Sequence, residues 1–300
     1  AKAGVTGPGF AVHSDIVAPY IINYCSEKQK KYYLPKMISG EIITAIAMTE
    51  PGTGSDLQNI KTKATISTDT VTLNGSKTFI TNGQNANLIL VVAKTDTSQK
   101  AKGISIILCE ENNKGFKRGK NLEKIGMKAQ DTSELYFEEV ILPKENILGN
   151  AGQGFSQLMD ELPQERLSIA VTAISAAEAA LNWTIAYVKE RTAFEKKIIE
   201  FQNTKFTLAK IKADITVARA FIDRCIKEHI NNNFSAEDGA IAKLWCTDLQ
   251  FKVMDECLQL HGGYGYMKEY PIARAFLDSR VQRIYGGTNE IMKEIISRNL

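Results

Sequence analysis

The stretch GQGFSQLMDELPQERLSIAVTAISAAEAALNWTIAYVKE, residues 152–190, decides the fold of the C-terminal half of the chain. Its apolar residues recur at helical spacing and β-branched clusters are few, which predicts one long helix. Small residues dominate 170–180, as they do in a helix that is buried nearly all round. Residues 202–232, 236–260 and 288–299 show the same periodicity, and the four segments together predict a helical bundle.

Residues 42–148 have a different texture, in which short β-branched runs alternate with turns. The runs lie at residues 42–48, 61–67, 71–73, 88–93, 103–108 and 134–142. Asn74-Gly75 and Asn82-Gly83 are dipeptides typical of turns. Because the runs lie too close together for crossover helices, they predict a mostly antiparallel barrel or sandwich.

The first 40 residues are predicted to be helical from residue 10 onwards. Ser26 is a suitable helix cap, and Gly40 ends this segment. Ala1 opens the sequence with no visible targeting segment. The chain is therefore expected to run from helix to strands to helical bundle.

Composition excludes several classes of protein. The chain has 300 residues, of which 44% are hydrophobic and 24% charged. Its net charge is +3 and its basic residues are dispersed, so we expect no binding of nucleic acid and no membrane role. No apolar run approaches the roughly 20 residues of a membrane span. Five cysteines without a CxxC pair indicate buried free thiols in a reducing compartment. The three histidines show no zinc-binding spacing.

Familiar cofactor motifs are absent from the sequence. Gly52-Thr53-Gly54 lacks the third glycine of a dinucleotide fingerprint, because residue 57 is leucine. A phosphate-binding GxxxxGK[ST] loop and a GxSxG nucleophile elbow are also missing. Any cofactor must therefore be held by a less familiar loop.

Three short segments combine residues suited to ligand binding. IAMTEPGTGSD at 46–56 brings glycines and small residues to a strand end, where backbone N–H groups can approach an oxygen-rich ligand. FITNG at 79–83 sets an aromatic and a hydroxyl on one side of a strand. YGGTNEI at 285–291 exposes free N–H donors before a helix. Taken singly, each is as well explained by an ordinary turn, strand end or capped loop.

Taken together, these segments resemble the acyl-CoA dehydrogenase family. RTAF at 191–194 and QLHGGYGY at 259–266 extend the resemblance over essentially the whole chain, and LPQERL at 162–167 looks most like the long-chain branch. The resemblance implies an α+β fold, in which a mostly antiparallel β domain is followed by a C-terminal four-helix bundle. The implied domains are a remnant of an N-terminal helical domain at 1–40, a β domain at 41–150 and a bundle domain at 151–300.

The resemblance also implies an FAD-dependent enzyme whose flavin lies between the β domain and the bundle. Thr49 would bond the flavin ring, Phe79 would cover one of its faces, and Thr81 would bond near N5. The implied flavin contacts within one subunit are Ile46, Ala47, Met48, Thr49, Gly54, Ser55, Phe79, Ile80, Thr81, Thr288, Asn289 and Glu290. Positions that resemble those reaching the FAD of a neighbouring subunit are Arg191, Gln202, Gln259, Leu260, His261, Gly262 and Gly263. These implied contacts predict a homotetramer, a dimer of dimers.

The implied reaction is the α,β-dehydrogenation of a fatty acyl-CoA to the trans-2-enoyl-CoA, the first step of β-oxidation. The thioester carbonyl must be polarised before its α-proton can leave, and the resemblance assigns this to the Gly286 N–H and a flavin hydroxyl. Many members of the family carry a glutamate base where this chain has Gly286. A second group, including long-chain and isovaleryl enzymes, supplies the base from a helix, at the position of Glu165.

The local pattern around Glu165 leaves another interpretation open. An acid here could be an exposed first-turn residue that favours the helix dipole or pairs with Arg166. Against that, Ile169 continues the face of Glu165 by one turn, as the wall of an apolar cavity would. Arg166 is either a solvent-facing partner or a substrate contact. The implied substrate contacts are Ser55, Pro163, Gln164, Arg166, Gly286 and Gly287.

Two rival functions remain at this stage. One is a branched- or short-chain dehydrogenase of the isovaleryl type. The other is a binding or assembly protein on the same scaffold, since family members usually begin with a larger helical subdomain. The implied electron acceptor is electron-transfer flavoprotein, and the implied location is the mitochondrial matrix in a eukaryote or the cytoplasm in a bacterium. Glu195 departs from the family, which commonly has glycine there.

Overall fold

The computed structural model describes residues 1–5, 7, 9–298 and 300, and its contacts divide the chain into two compact units. The strand unit consists of Gly7–Glu123 and Ala129–Glu161. The helical unit consists of Ala1–Thr6, Lys124–Lys128 and Leu162–Leu300. The predicted α+β class, with a mostly antiparallel sheet followed by C-terminal helices, is confirmed.

The strand unit is built on one seven-stranded sheet with the order β1-β4-β2-β3-β7-β6, and β5 pairs with β4. The strands are β1 (Thr44–Ala47), β2 (Lys63–Ile66), β3 (Thr70–Thr81), β4 (Leu88–Lys94), β5 (Ile104–Glu110), β6 (Phe116–Asn121) and β7 (Thr132–Pro143). Strands β1 and β2 pair with β4 in parallel, and the other pairs are antiparallel. Strand β6 was not predicted, because its sequence FKRGKN is polar.

One of the two predicted turns is wrong. Asn74 and Gly75 lie inside β3, at a register shift against β7, instead of in a hairpin turn. A Cβ on Gly75 would lie 2.7 Å from the Cα of Thr62, so the glycine is required by the close approach of another backbone segment. The turn predicted at Asn82-Gly83 is confirmed, and Asn82 has a φ of 62°.

Helices precede the sheet, as predicted. A π-helical segment (Val12–Val17) leads into α1 (Ala18–Tyr24), and α2 follows (Glu27–Ser39). The Ser26 side chain accepts a hydrogen bond from the Gln29 N–H and so caps α2. Gly40 ends α2 with a φ of 76°, a left-handed conformation that glycine adopts readily.

The sheet of the strand unit is covered by an apolar layer on each face. Alternate residues of β4 belong to two different layers: Ile89 and Val91 to one, Leu88 and Leu90 to the other. The second layer also contains the helix residue Tyr20. A strand that is buried on both faces is apolar at every position, which explains why residues 88–93 are an unbroken apolar run.

The helical unit contains three long helices and two short ones among its described residues. They are α3 (Gly154–Glu190, of which the last 29 residues belong to this unit), α4 (Gln202–Ile230), α5 (Ala236–His261), α6 (Pro271–Ser279) and α7 (Asn289–Ser297). The three long helices were predicted. The predicted fourth helix is only the nine residues of α7, and α6 was not predicted. A two-residue loop joins β8 (Thr192–Ala193) to β9 (Lys196–Lys197).

Helix α3 owes its apolar character to the bundle core. Its alanines at 170, 173 and 177 are fully buried and lie in one cluster with residues of α4 and α5. In length and composition α3 would suffice to cross a membrane, contrary to the prediction from the apolar runs of the sequence, but half of the relevant window is buried within the structure. A core helix has the same composition. All five cysteines are free and buried in the described part of the chain, as predicted.

Candidate active site

Helix α3 buries a carboxylate and a guanidinium side by side. Glu165 is 4% exposed and Arg166 is 5% exposed, and both lie well inside the helix, which continues through Pro163. The interpretation of Glu165 as an exposed first-turn acid is therefore wrong. Burial lowers the pKa of the Arg166 guanidinium, and the neighbouring Glu165 carboxylate opposes that shift. The helix also carries Gln164, one residue before Glu165.

The face of α3 that carries Glu165 meets the glycine loop before α7, and both belong to the helical unit. Gly286 has a φ of 63°, and a Cβ there would lie 2.5 Å from the Cδ1 atom of Ile169. The Arg166 Nε donates a hydrogen bond to the Gly286 carbonyl at 3.4 Å. Gly287 has a φ of 89°. Both glycines adopt a backbone that other residues rarely adopt, so this loop cannot accept a side chain without strain.

A buried lysine that was not predicted as a site residue holds the same loop. Lys243, on α5, is fully buried, and its Nζ donates to the Gly287 carbonyl and to the Asn289 Oδ1, each at 2.7 Å. Burial, with the nearby Arg166 charge, lowers the pKa of Lys243 to about 8. A visible signal was the single charge within the apolar run AIAKLW at 240–245.

The first residues of α7 serve mainly to start that helix. Thr288 caps α7, its Oγ1 accepting a hydrogen bond from the Ile291 N–H at 3.3 Å. Asn289 is 1% exposed, and its Nδ2 donates to Thr247 and Asp248, each at 3.0 Å. Since the side-chain amide of Asn289 makes its hydrogen bonds inside the bundle, a ligand would contact the backbone of this residue. Glu290 is exposed at the first turn of α7.

In the strand unit, a tight loop follows β1. Glu50 and Thr53 exchange two backbone hydrogen bonds of 3.0 Å, which close the turn around Gly52. No described atom lies within 4 Å of a Cβ placed on Gly52 or Gly54, and neither residue has a positive φ. Neither packing nor backbone conformation therefore requires glycine there, whereas close approach by a ligand would. Ser55 is also exposed on this loop.

A buried ion pair between Lys77 and Glu50 anchors this loop to the sheet. The Nζ of Lys77, on β3, lies 2.9 Å from the Glu50 carboxylate and donates to the Met48 carbonyl at 2.8 Å. The Glu50 carboxylate also accepts from the backbone N–H groups of Lys61 and Thr62. Burial opposes ionisation of Glu50, but the Lys77 charge and those two amides outweigh it, so its pKa lies below the usual value. The pair fixes the segment that leaves β1, since Lys77 bonds Met48 directly after the strand residues Ile46 and Ala47.

Phe79 stands out on β3 because it is exposed and has a left-handed backbone. Its φ is 59°, its side chain is 67% exposed, and it lies at a register shift between β3 and β7. Strained residues of this kind cluster at functional sites. Ile80 is buried, and Thr81 is half-buried, its Oγ1 accepting a hydrogen bond from the Gln130 Nε2 at 3.0 Å. The left-handed backbone at Phe79 interrupts the regular alternation of side chains along β3, so the strand period alone no longer places Phe79 and Thr81 on one side.

The residues predicted to reach a neighbouring subunit lie in the helical unit. His261 is 4% exposed, stacks on Tyr187 with ring centroids 4.3 Å apart, and bonds the Cys257 carbonyl through Nδ1. Burial lowers the pKa of its ring, and the hydrogen bond to the Cys257 carbonyl opposes that shift. Of the other residues predicted to reach a neighbour, Leu260 is half-buried and the rest are exposed: Arg191, Gln202, Gln259, Gly262 and Gly263. No described atom lies within 4 Å of the point where a Cβ on Gly263 would stand, so its surface is open.

Glu195 occupies the loop between β8 and β9. Phe194 and Glu195 have φ values of 51° and 64°, which is the pattern of a type I′ hairpin turn. Glycine is the usual second residue of that turn. Here the glutamate is exposed and carries the left-handed backbone instead.

Comparisons with known proteins match the whole length of the chain. Residues 152–300 match the sequence family described as "Acyl-CoA dehydrogenase, C-terminal domain", residues 45–140 the corresponding middle domain, and residues 1–41 the N-terminal domain. The chain is 52% identical to "Long-chain specific acyl-CoA dehydrogenase, mitochondrial" of Sus scrofa, over all of this chain and 70% of the relative. It is 36% identical to "Isovaleryl-CoA dehydrogenase, mitochondrial" of Oryza sativa subsp. japonica, over 99% of this chain and 73% of that one.

A solved structure agrees with these matches. The crystal structure of an acyl-CoA dehydrogenase from Geobacillus kaustophilus superimposes with a TM-score of 0.95 at 50% identity, and the alignment covers 97% of this chain and 77% of that one.

Proposed function

Because this chain belongs to the acyl-CoA dehydrogenase family, whose members are flavoprotein oxidoreductases that act on CH–CH bonds, we propose that it oxidises long-chain fatty acyl-CoA to the trans-2-enoyl-CoA with Glu165 as the base. The observation that carries the proposal is the contact between the α3 face of Glu165 and the Gly286 loop. A Cβ on Gly286 would meet Ile169, which lies one helical turn beyond Glu165.

Base and oxyanion donor are then neighbours in one rigid unit. Glu165 takes the α-proton of the thioester, and the Gly286 N–H stabilises the charge that develops on the carbonyl oxygen. Such preorganised donors are often the largest single term in catalysis. The buried Glu165 supports this role, because water is excluded around the carboxylate, and proton transfer by a positioned carboxylate contributes about 10²- to 10⁴-fold.

The chain also carries features that fit a flavin cofactor. Gly52 and Gly54 leave room for a ligand beside the backbone after β1, and Phe79 presents an exposed aromatic face. We assign Thr49 and Thr81 to the flavin ring and Ser55 to the phosphates and substrate. FAD, when bound, accepts the hydride that leaves the β-carbon. Pro163, Gln164, Arg166 and Gly287 complete the substrate contacts by their position around Glu165 and Gly286.

Several finer assignments follow the relatives. Identity of 52% to a long-chain enzyme, against 36% to an isovaleryl enzyme, supports a long-chain substrate. We further propose a homotetramer, in which Arg191, Gln202 and residues 259–263 reach the FAD of a neighbour, and electron-transfer flavoprotein as the electron acceptor. In a eukaryote we assign the protein to the mitochondrial matrix, because the Sus scrofa relative is named a mitochondrial enzyme, and in a bacterium to the cytoplasm.

The decisive experiment compares Glu165→Gln with a matched control on the same helix. Glu178→Gln changes an α3 carboxylate that pairs with Arg219 at 2.8 Å. Both variants are loaded with FAD and mixed anaerobically with palmitoyl-CoA. We expect the flavin of Glu178→Gln to bleach as in the unmodified protein, and that of Glu165→Gln to keep its oxidised spectrum. Near-normal bleaching in Glu165→Gln refutes the base assignment.

A substrate panel tests the chain-length assignment separately. Initial rates are measured with butyryl-, octanoyl-, palmitoyl- and isovaleryl-CoA. The highest kcat/KM is expected with palmitoyl-CoA, and a preference for isovaleryl-CoA would favour the rival function. A protein that binds no FAD at all would contradict the enzymatic proposal.

A further inference from the structure

Lys243 is a buried cation for which the proposed reaction provides no direct part. It lies on α5, is fully buried, and spends its donors on the Gly287 carbonyl and the Asn289 side chain. Burying an ammonium group in a helical core is costly, and here only two neutral oxygen acceptors offset the cost. Both acceptors follow directly after Gly286 in the chain, so the buried charge lies beside the proposed oxyanion donor.

We propose that Lys243 is a positioning residue that aims the Gly286 N–H at the thioester oxygen, an inference that rests on the proposed function. Because a trans peptide is planar, holding a carbonyl fixes the N–H on the other side of the same peptide. Arg166 holds the Gly286 carbonyl and thereby the Gly287 N–H, and Lys243 holds the Gly287 carbonyl and thereby the Thr288 N–H. The two peptides that follow the Gly286 Cα are therefore fixed, and they restrain the Gly286 N–H from the C-terminal side.

The loop is fixed on its other side as well. The N–H of Tyr285 donates to the Val281 carbonyl at 3.1 Å, which ties the residue before Gly286 to the preceding turn. The peptide that carries the Gly286 N–H therefore lies between anchored neighbours. Two consecutive glycines are otherwise the most mobile backbone possible. A donor that is aimed before the substrate arrives needs no reorganisation during the reaction.

The two cations that hold the loop lie on different helices. Arg166 belongs to α3, which also carries the base, and Lys243 belongs to α5. Lys243 also fixes the start of α7 through Asn289 Oδ1, while the Asn289 Nδ2 donates to Thr247 and Asp248. Without Lys243, Asn289 keeps the threonine, whereas the Gly287 carbonyl loses its partner. We therefore expect the loop to turn toward another donor while α7 stays in place.

The test is Lys243→Met, which keeps the length of the side chain and removes its donors. Its matched control is Lys252→Met on the same helix. Lys252 forms a long, solvent-exposed ion pair of 3.7 Å with Asp214. We expect Lys243→Met to lower kcat by about 10- to 100-fold, as small displacements of catalytic groups do. The KM should change by less than about threefold, because the oxyanion contact is much stronger in the transition state than in the bound substrate.

A probe of carbonyl polarisation separates positioning from simple stability. The FAD-loaded protein is titrated with a 3-thiaacyl-CoA, which can lose its α-proton but cannot be dehydrogenated, and whose enolate gives a long-wavelength band with oxidised flavin. The pH midpoint of that band is expected to rise by about one unit in Lys243→Met and to stay unchanged in Lys252→Met, which corresponds to a tenfold weaker stabilisation of the enolate.

Lys243→Gln serves as the second variant and keeps a neutral amide donor in the same cavity. Its midpoint should fall between those of the unmodified protein and Lys243→Met, and it replaces the methionine variant if that protein is insoluble. An unchanged midpoint in a folded, FAD-loaded variant overturns the positioning role. If the unmodified protein itself gives neither the band with the analogue nor bleaching with palmitoyl-CoA, the proposed function has failed instead.

Discussion

Moving the base from helix to loop is the sharpest test of the proposed geometry. Glu165→Ala removes the carboxylate from α3, and Gly286→Glu offers one from the loop. If both positions flank the same α-carbon, the relocated carboxylate should restore part of the lost activity. The structure adds a third change, Ile169→Val, because the Cδ1 atom of Ile169 lies only 2.5 Å from where a Cβ on residue 286 must be.

The expected stability changes follow from that contact and from the backbone. A side chain at the Gly286 φ of 63° costs about 1–2 kcal/mol. Overlap with Ile169 adds about 1–3 kcal/mol. Ile169→Val deletes the overlapping atom at a cost of about 0.5–1.5 kcal/mol. Since domains are typically stable by about 5–15 kcal/mol, the triple variant should fold and should be more stable than the double variant.

Activity and stability are measured on the same four proteins: unmodified, Glu165→Ala, the double variant and the triple variant. Glu165→Ala should lose about 10²- to 10⁴-fold in kcat, and the triple variant should exceed it by at least about tenfold. Arg166 should help, because its Nε already lies 3.4 Å from the Gly286 carbonyl and can pair with the new acid. A triple variant that binds FAD and remains as inactive as Glu165→Ala would show that the two positions do not share a substrate carbon.

Three further predictions concern the scaffold of the site. Gly239→Ala should lower the melting temperature despite the better helix propensity of alanine, because its Cβ would lie 3.0 Å from the Cα of Pro163 and overpacking costs about 1–3 kcal/mol; an unchanged melting temperature would contradict close packing there. Glu195→Gly should stabilise the protein by up to about 1 kcal/mol by relieving a left-handed backbone, and a tighter Kd for FAD, measured by fluorescence, would show that the acid also opposes the cofactor. Glu50 has a lowered pKa in the folded state, so its contribution to stability is complete above the unfolded pKa of about 4.3 and is lost as the pH falls through the folded value. Urea denaturation at pH 7 and pH 3 should therefore show a smaller loss for Glu50→Gln combined with Lys77→Met than for the unmodified protein.

The parts of the fold that were predicted from sequence are those with a local signal. Helix α3 has an apolar period and β4 an unbroken apolar run, and both were found. Strand β6 was missed because its polar residues give no such period. The Asn74-Gly75 turn was predicted from a dipeptide rule, and the prediction is wrong. Glycine is required at residue 75 because the Thr62 backbone packs against it, and no local sequence pattern shows that contact.

The candidate site shows the same limit in another form. Glu165 and Gly286 were singled out through a family resemblance, whereas their local pattern favoured an exposed acid and a capped loop. Lys77 and Lys243 were not singled out, although each is a fully buried lysine directly beneath a loop of the site. A buried lysine is meaningful because of its partners, and these partners are backbone carbonyls that only the folded chain brings within reach.

The choice between the two possible places for the base has a physical reason in this chain. A carboxylate on the loop would need a side chain at Gly286, where the backbone is left-handed and the space is filled by Ile169. Ile169 belongs to α3, one turn beyond Glu165, so the helix that supplies the carboxylate also occupies the volume of its alternative. The two features therefore depend on each other: a variant that moves the base to the loop is expected to gain stability from a shorter side chain at residue 169. Because residue 286 is glycine, no side chain covers its N–H. Arg166 and Lys243 hold the carbonyls of Gly286 and Gly287, which follow that N–H in the chain. In the proposed arrangement, a base on the helix leaves the loop free to act as the oxyanion donor alone.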